Sequence, residues 1–390
     1  MVKTEQTVKL YDKDSHMKAF ESVVVSSSAA ENGFETVLRE TAFFPEGGGQ
    51  PADTGYIGNS RVFDVRIKDG VIYHRTEQQF EPGEKVTCAL DWEQRFRRMQ
   101  NHTGEHIISG LVNKFYGYTN VGFHMGSEDV TVDFDGVLDA EQLGEIELLA
   151  NKAVWENVSV RAYYPTPSSL KRLKYRSKLD LEKDVRIVTV TGYDRCACCA
   201  PHVSRTGEIG LIKILGFMHY KGGIRVRMLC GMDALADCNT KYANVAKISE
   251  LLSAKQHETA LAVERVCSEL DDKKLELAKT KRRIAEIKLE QLEKTDGNIC
   301  IFESSFTSET MREVVNEGMK LCGGVCAAFS GSDENGYNYV IGSESVDMKS
   351  AAKAINEALS GRGGGRNPMI QGSVKAGRAE IEKFFAGAKL

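Results

Sequence analysis

The fold class the sequence predicts is multidomain α+β: an N-terminal β-barrel, an α+β middle domain, a long helical segment and a C-terminal α/β domain. Three observations carry that expectation. Short β-branched and alternating runs fill residues 1–92, the apolar period becomes helical after Asp91, and residues 241–294 contain neither proline nor glycine. With 390 residues the chain exceeds one average domain, and 42% hydrophobic with 27% charged residues excludes wholesale disorder. A net charge of -4 leaves any basic surface local, because charges of both signs cancel in the sum.

The barrel expectation rests on residues such as Val23–Val25 and on 61–68, where polar and apolar positions alternate as in a half-buried strand. Asp69-Gly70 is a turn dipeptide, and Val71 to His74 reads as the returning strand. From 93 to 238 the pattern mixes. Phe96, Met99, Ile107, Leu111 and Phe115 gather on one side of a helix that Gly117 stops, and a second helix runs from Ala140 to Trp155. Strands follow at 185–190, 211–217 and 224–229, with Lys221-Gly222-Gly223 as a turn. In the last of them Ile224, Val226 and Met228 alternate with Arg225 and Arg227, which predicts one apolar and one basic, wet face.

In 241–294, Val263, Leu270, Leu277 and Ile284 recur every seven residues, with Val266 and Ile287 on the neighbouring seam. This is a long helix or helical hairpin, and it has two readings: a solvated linker packed on its own chain, or a coiled coil that forms a homodimer through 241–390. Residues 295–390 form a last compact unit ending in the cluster Gly361-Arg362-Gly363-Gly364-Gly365-Arg366. Six basic and two acidic residues lie between 361 and 390, a local excess of positive charge.

No apolar stretch approaches the roughly 20 residues that cross a bilayer, so no membrane association is expected. No export signal is visible from Met1 to Asp14, and ten cysteines then point to a cytoplasmic, reducing setting in which thiols stay free or bind metal.

Two short segments suggest a metal. His102 and His106 are four apart in the first helix, so both imidazoles leave one face. Cys198 and His202 are also four apart, but Pro201 disfavours a helix there and predicts a turn folding back on the ion. Three imidazoles and a thiolate suit one tetrahedral zinc. Cys196 and Cys199 are neighbours that can replace Cys198, and the spacing favours Cys198. Residues 41–55 form the densest loop signal. Gly47, Gly48 and Gly49 remove three consecutive Cβ atoms, so a backbone can approach a ligand, and Gln50 adds an amide. The competing reading is a turn that merely connects strands. His124, between glycines 122 and 126, has two readings: a side chain that faces the pocket or, the preferred one, a hydrogen-bonded core histidine. Lys171, Arg172, Lys174, Arg176 and Lys178 form a basic run fit for phosphates or for plain solvation.

Phe43-Phe44-Pro45-Glu46-Gly47-Gly48-Gly49-Gln50-Pro51-Ala52-Asp53-Thr54-Gly55, Asn101-His102-Thr103-Gly104-Glu105-His106 and 198–210 together resemble the editing domain of alanyl-tRNA synthetases and its free-standing relatives, the AlaX proteins. Residues 361–372 are similar to the C-terminal, DHH-associated domain of those synthetases. The resemblance spans nearly the whole chain in the right order. The synthetases carry a class II aminoacylation domain ahead of the editing part, and this sequence opens almost directly on the β-rich region. The likeness is therefore to long-form AlaX. It implies a trans-editing deacylase that hydrolyses the ester of alanine tRNA mischarged with serine or glycine. It implies zinc on His102, His106, Cys198 and His202, a pocket lined by Gly47–Gly49 and Gln50, and Thr41 as the hydroxyl that reads serine. Arg362 and Arg366 would contact tRNA. One departure stands out: the family's turn is Cys-Gly-Gly-Thr-His, and here Cys199, Ala200 and Pro201 lie between Cys198 and His202. The other reading of the same four ligands is a non-catalytic tRNA-binding module with a structural zinc.

Overall fold

A computed structural model describes residues 6–177 and 184–387. The chain divides into two compact units, Met1–Ala246 and Lys247–Leu390.

Six antiparallel strands close a barrel in the first unit, in the order Ala19–Ala30, Gly33–Leu38, Val71–Thr76, Ser60–Lys68, Gly55–Ile57 and Lys85–Leu90. Closure leaves no open sheet edge. The Ser60–Lys68 and Val71–Thr76 hairpin turns through Asp69 and Gly70, whose φ values of 52° and 81° are those of a two-residue type I′ turn. Inward positions such as Val24, Leu38, Ile57, Val62, Val65 and Ile72 fill the barrel core.

An ionisable side chain sits among the buried residues of that barrel. His74 is fully buried, its Nδ1 donates to the Thr36 carbonyl at 3.0 Å, and its Nε2 accepts from the Thr41 hydroxyl at 2.8 Å. Burial depresses its pKa to about 4 although the Thr36 hydrogen bond opposes the shift. An unfolded His74 takes up a proton below pH ~6.5, which the folded form refuses until pH ~4. Stability therefore drops as pH falls through that window, by about 3 kcal/mol from this residue alone. Urea unfolding from pH 7.5 to 4.5 is expected to show a shallower loss in His74→Gln than in the parent; parallel curves would contradict it.

After the barrel, α1 (Trp92–Tyr116) begins, and Gly117 ends it with φ 74°. Met99, Ile107, Ile108, Leu111 and Val112 of α1 and Leu143, Ile146, Ala150 and Val154 of α2 (Ala140–Glu156) share one core. Against these helices lies a four-stranded sheet in the order Ile212–Tyr220, Gly223–Cys230, Val130–Phe134, Asn120–Met125. Ile224, Val226 and Met228 are fully buried in that core. The opposite face is not simply basic: Arg225 bonds Asp133 at 2.6 Å, and Arg227 pairs with Asp129. A three-stranded sheet, Val160–Tyr163, Ile187–Val190 and Asp194–Ala197, completes the unit.

The segment expected as one long helix or a hairpin is two helices, Gly231–Leu252 and Thr259–Glu290, interrupted at Ser253 with φ 49°. The first crosses the boundary between the units. In the second unit Ala285 packs with Ile299, Met311 and Val315, whereas Val263, Leu270 and Leu277 are exposed. A five-stranded sheet follows, in the order Ile299–Phe302, Cys326–Ser332, Gly336–Gly342, Met369–Val374, Arg362–Arg366. The glycine cluster taken from sequence as a tail is thus an edge strand. Glycine is required there: a Cβ on Gly363 would meet the Tyr339 hydroxyl at 2.4 Å. No helix among the described residues is long and apolar enough to cross a membrane.

Candidate metal centre

Ligand atoms of His102, His106, Cys198 and His202 all lie within 4.8 Å of one another. His102 and His106 project from one face of α1, and the other two come from the loop after Asp194–Ala197. Each imidazole is oriented by a separate partner. His102 Nδ1 bonds Gln50 Oε1 at 2.8 Å, His106 Nδ1 bonds Asp194 Oδ2 at 3.0 Å, and His202 Nδ1 bonds Thr103 Oγ1 at 3.1 Å. Thr103 gives its own proton to the Met99 carbonyl, so it accepts from His202. Three Nδ1 atoms are thereby committed, and the Nε2 atoms are left to a common ion.

The donor set fits zinc. Cys198 Sγ stands 3.5 Å from His102 Nε2 and 3.4 Å from His202 Nε2. A tetrahedral ion about 2.0–2.1 Å from nitrogen and about 2.3 Å from sulfur spaces such atoms about 3.5 Å apart. Removal from water would raise the Cys198 thiol pKa, but the charge of His102 and hydrogen bonds from all three histidines pull it well below the usual range. Burial acts the other way on His202 and lowers it to about 3, the neutral form a ligand needs. His106 resists the same burial: Asp194 and Cys198 raise it well above an ordinary imidazole, so protons and a metal compete for it.

Neighbouring thiols differ. Cys196 is buried and its pKa is raised by that burial, and Cys199 is exposed. His106, Asp194 and Cys196 also cluster, but Asp194 is taken by Arg176 Nε at 2.8 Å and Nη2 at 2.9 Å. Gly110 makes the Asp194 contact to α1 feasible, since a Cβ there would meet the Tyr193 carbonyl at 2.5 Å. Asp194 and Thr103 escaped the sequence reading because neither stands in a ligand spacing, and Arg176 was read there only as part of a basic run.

Beside the cluster is a cavity of about 370 Å³, whose walls include Gly48, Glu105, Phe123, Arg176, Arg186 and Cys199. The glycine loop is a tight turn. Gly47 and Gln50 exchange two backbone bonds of 3.1 and 3.0 Å around Gly48 and Gly49, with φ 61° and 82°. A Cβ on Gly49 would meet the Phe123 carbonyl at 2.3 Å, so this turn needs glycine to lie against the sheet. Gln50 is 1% exposed, and beyond its bond to His102 its Nε2 is left without a hydrogen-bond partner.

Other expected residues are placed differently. Thr41 is fully buried in the barrel and is not among the described cavity-lining residues. Its hydroxyl donates to His74 and accepts from the Phe43 amide at 3.2 Å. His124 is exposed, in a hollow on the outer side of the glycine turn, and is no core residue. Lys171, Arg172 and Lys174 are exposed, Arg176 turns in to Asp194, and Lys178 lies outside the described residues. Arg362 and Arg366 are exposed at the two ends of their edge strand.

Comparison with known proteins gives the class first. Residues 2–94 match the family "tRNA synthetases class II (A)", and 185–227, which hold Cys198 and His202, match "Threonyl and Alanyl tRNA synthetase second additional domain". Within that class the chain is similar over nearly its whole length to alanyl-tRNA editing proteins. It is 28% identical to alanyl-tRNA editing protein AlaX-L of Pyrococcus horikoshii, over 96% of this chain and 96% of that protein. It is 27% identical to alanyl-tRNA editing protein Aarsd1 of Mus musculus, over 96% and 97%. Alanine–tRNA ligase of Ignicoccus hospitalis is 31% identical over 75% of this chain, which spans only 33% of that ligase.

Proposed function

We propose that this chain is a trans-editing deacylase that hydrolyses the ester linking serine, and secondarily glycine, to alanine tRNA. The observation that carries the reading is the three-histidine, one-thiolate cluster at the wall of a cavity of about 370 Å³. One zinc per chain is held by His102, His106, Cys198 and His202; when bound it supplies Lewis-acid polarisation. Gln50 fixes His102 through Oε1, and its free Nε2 N–H groups donate to the ester carbonyl as charge develops there. Gly48 lines the wall beside Cys199, with the positive φ of 61° that the turn requires. Gly47 and Gly49 hold the turn that carries both.

Domain limits of 1–92, 93–238, 241–294 and 295–390 serve this reading, with the last as the tRNA-binding domain. Arg362 and Arg366, exposed on a flat glycine strand, face RNA phosphates. The exposed stripe of Val263, Leu270 and Leu277 supports a homodimer through 241–390. Ten free cysteines accord with a cytoplasmic location.

A four-donor set is the usual closed form of a structural site, and that favours the second reading, a tRNA-binding module without turnover. One assay separates the two. Protein incubated with seryl- and alanyl-tRNA is expected to release serine faster than alanine by roughly 5- to 150-fold, the worth of one polar partner that alanine leaves unpaired. Release is expected to stop after exhaustive chelation and return with zinc. Serine released only at the spontaneous rate would leave the binding module.

A further inference from the structure

The cavity beside the metal cluster carries a positive charge that the proposed chemistry does not use. Lys9 ends the short strand Val8–Lys9, in register with Thr41, and lines that cavity half-buried. The arginines of the same wall are answered: Arg176 by Asp194 at 2.8 Å and Arg186 by Asp12 at 3.0 Å. No carboxylate among the described residues pairs with Lys9. Of the acidic side chains on the described lining, Glu105 is bonded by Ser109 Oγ at 2.5 Å and by Asn120 Nδ2, and Asp184 is exposed. The lining also offers a flat surface. Tyr164 is 51% exposed, and its hydroxyl donates to Asp12 Oδ2 at 2.8 Å, so the ring is held by its edge. Asp12 follows Lys9 by three residues, which ties ammonium and ring to one short segment.

An unanswered ammonium and an exposed ring in one cavity suit a nucleotide. The ammonium takes a phosphate as a point charge, and an aromatic face stacks a base of any kind. A simple carboxylate or inorganic anion would engage the ammonium alone and leave the ring without a partner. We propose that Lys9 receives the 5′-phosphate of the terminal nucleotide that bears the ester, with the base of that nucleotide laid on Tyr164. The assignment rests on the deacylase reading above and extends it from the ester to the nucleotide that carries it.

Two small esters isolate the phosphate from the rest of the RNA: seryladenosine and its 5′-phosphate. The parent is expected to favour the phosphorylated ester in kcat/KM. Lys9→Met should shrink that preference by roughly 5- to 30-fold, mainly through KM and with zinc content unchanged, and Lys9→Arg should keep most of it. A preference that is absent from the parent or survives in Lys9→Met, or a Lys9→Met protein that loses its zinc, would overturn the assignment. Tyr164→Ala should raise KM for both esters alike, by roughly 5- to 100-fold; an unmoved KM overturns the placing of the base. A further measurement needs no variant: adenosine 5′-monophosphate should inhibit release of serine from seryl-tRNA at lower concentration than adenosine does. Equal inhibition also overturns the proposal, and this comparison decides if the small esters turn over too slowly to follow. A parent that leaves seryl-tRNA intact removes the deacylase reading itself, and that outcome differs from a parent active on both small esters alike.

Discussion

Cys198→Ala is expected to bring metal content from one ion per chain to near zero and deacylation to the spontaneous rate. Cys198 is the one anionic donor, and its sulfur stands 3.5 and 3.4 Å from two of the imidazole nitrogens that share the ion. Without it a divalent cation meets three neutral ligands in a partly buried site, and charge is poorly compensated. Substituting a supporting partner is milder. Asp194→Asn keeps a hydrogen-bond acceptor for His106 and loses the charge and one of the two bonds from Arg176, so metal affinity should fall by about 10- to 100-fold. Metal analysis of both variants after dialysis checks the order. Cys198→Ala retaining a full ion would hand the thiolate role to Cys196 or Cys199.

Asp53→Asn is expected to destabilise the first unit most. Asp53 and Arg95 are 1% and 0% exposed, joined by bonds of 2.8 and 2.5 Å. Asp53 also accepts from the Phe44 amide at 2.7 Å, and Arg95 reaches the Ala42 and Ser15 carbonyls, so the pair ties barrel to α1 two turns before His102. Breaking one side of a buried pair strands the other charge, at about 3–5 kcal/mol. For a unit of this size that lowers Tm by roughly 6–20 °C. Arg61 and Asp91 form the contrasting case. Their side chains are 32% and 30% exposed, so Arg61→Ala should cost no more than about 1 kcal/mol. Thermal unfolding of the two variants in one buffer makes the comparison; equal losses would mean that Asp53 is better solvated than its burial implies.

Most local structure was legible because it obeys short-range rules. The 61–74 hairpin follows from alternation plus Asp69-Gly70, and α1 from its apolar spacing and Gly117. The cluster of His102, His106, Cys198 and His202 was legible because spacing of four on a helix, and across a Pro-containing turn, leaves few geometries. What the chain hides is set by tertiary contact. Thr41 looks like a pocket hydroxyl beside a glycine turn, but His74, 33 residues away, claims it. Arg176 sits in a basic run and yet turns inward, because Asp194 lies across the sheet. The 361–366 cluster reads as a tail since glycine weakens a strand, and only the closeness of Tyr339 shows why glycine is needed there. Glu105 stood in plain view inside a motif, without any sign that Ser109 and Asn120 would fix its direction.

X-ray absorption at the zinc edge on the purified full-length protein tests the centre directly. One zinc per chain should appear, with three nitrogen neighbours at about 2.0–2.1 Å and one sulfur at about 2.3 Å. Two sulfurs in the shell, or no stoichiometric metal, would contradict a centre built from His102, His106, Cys198 and His202.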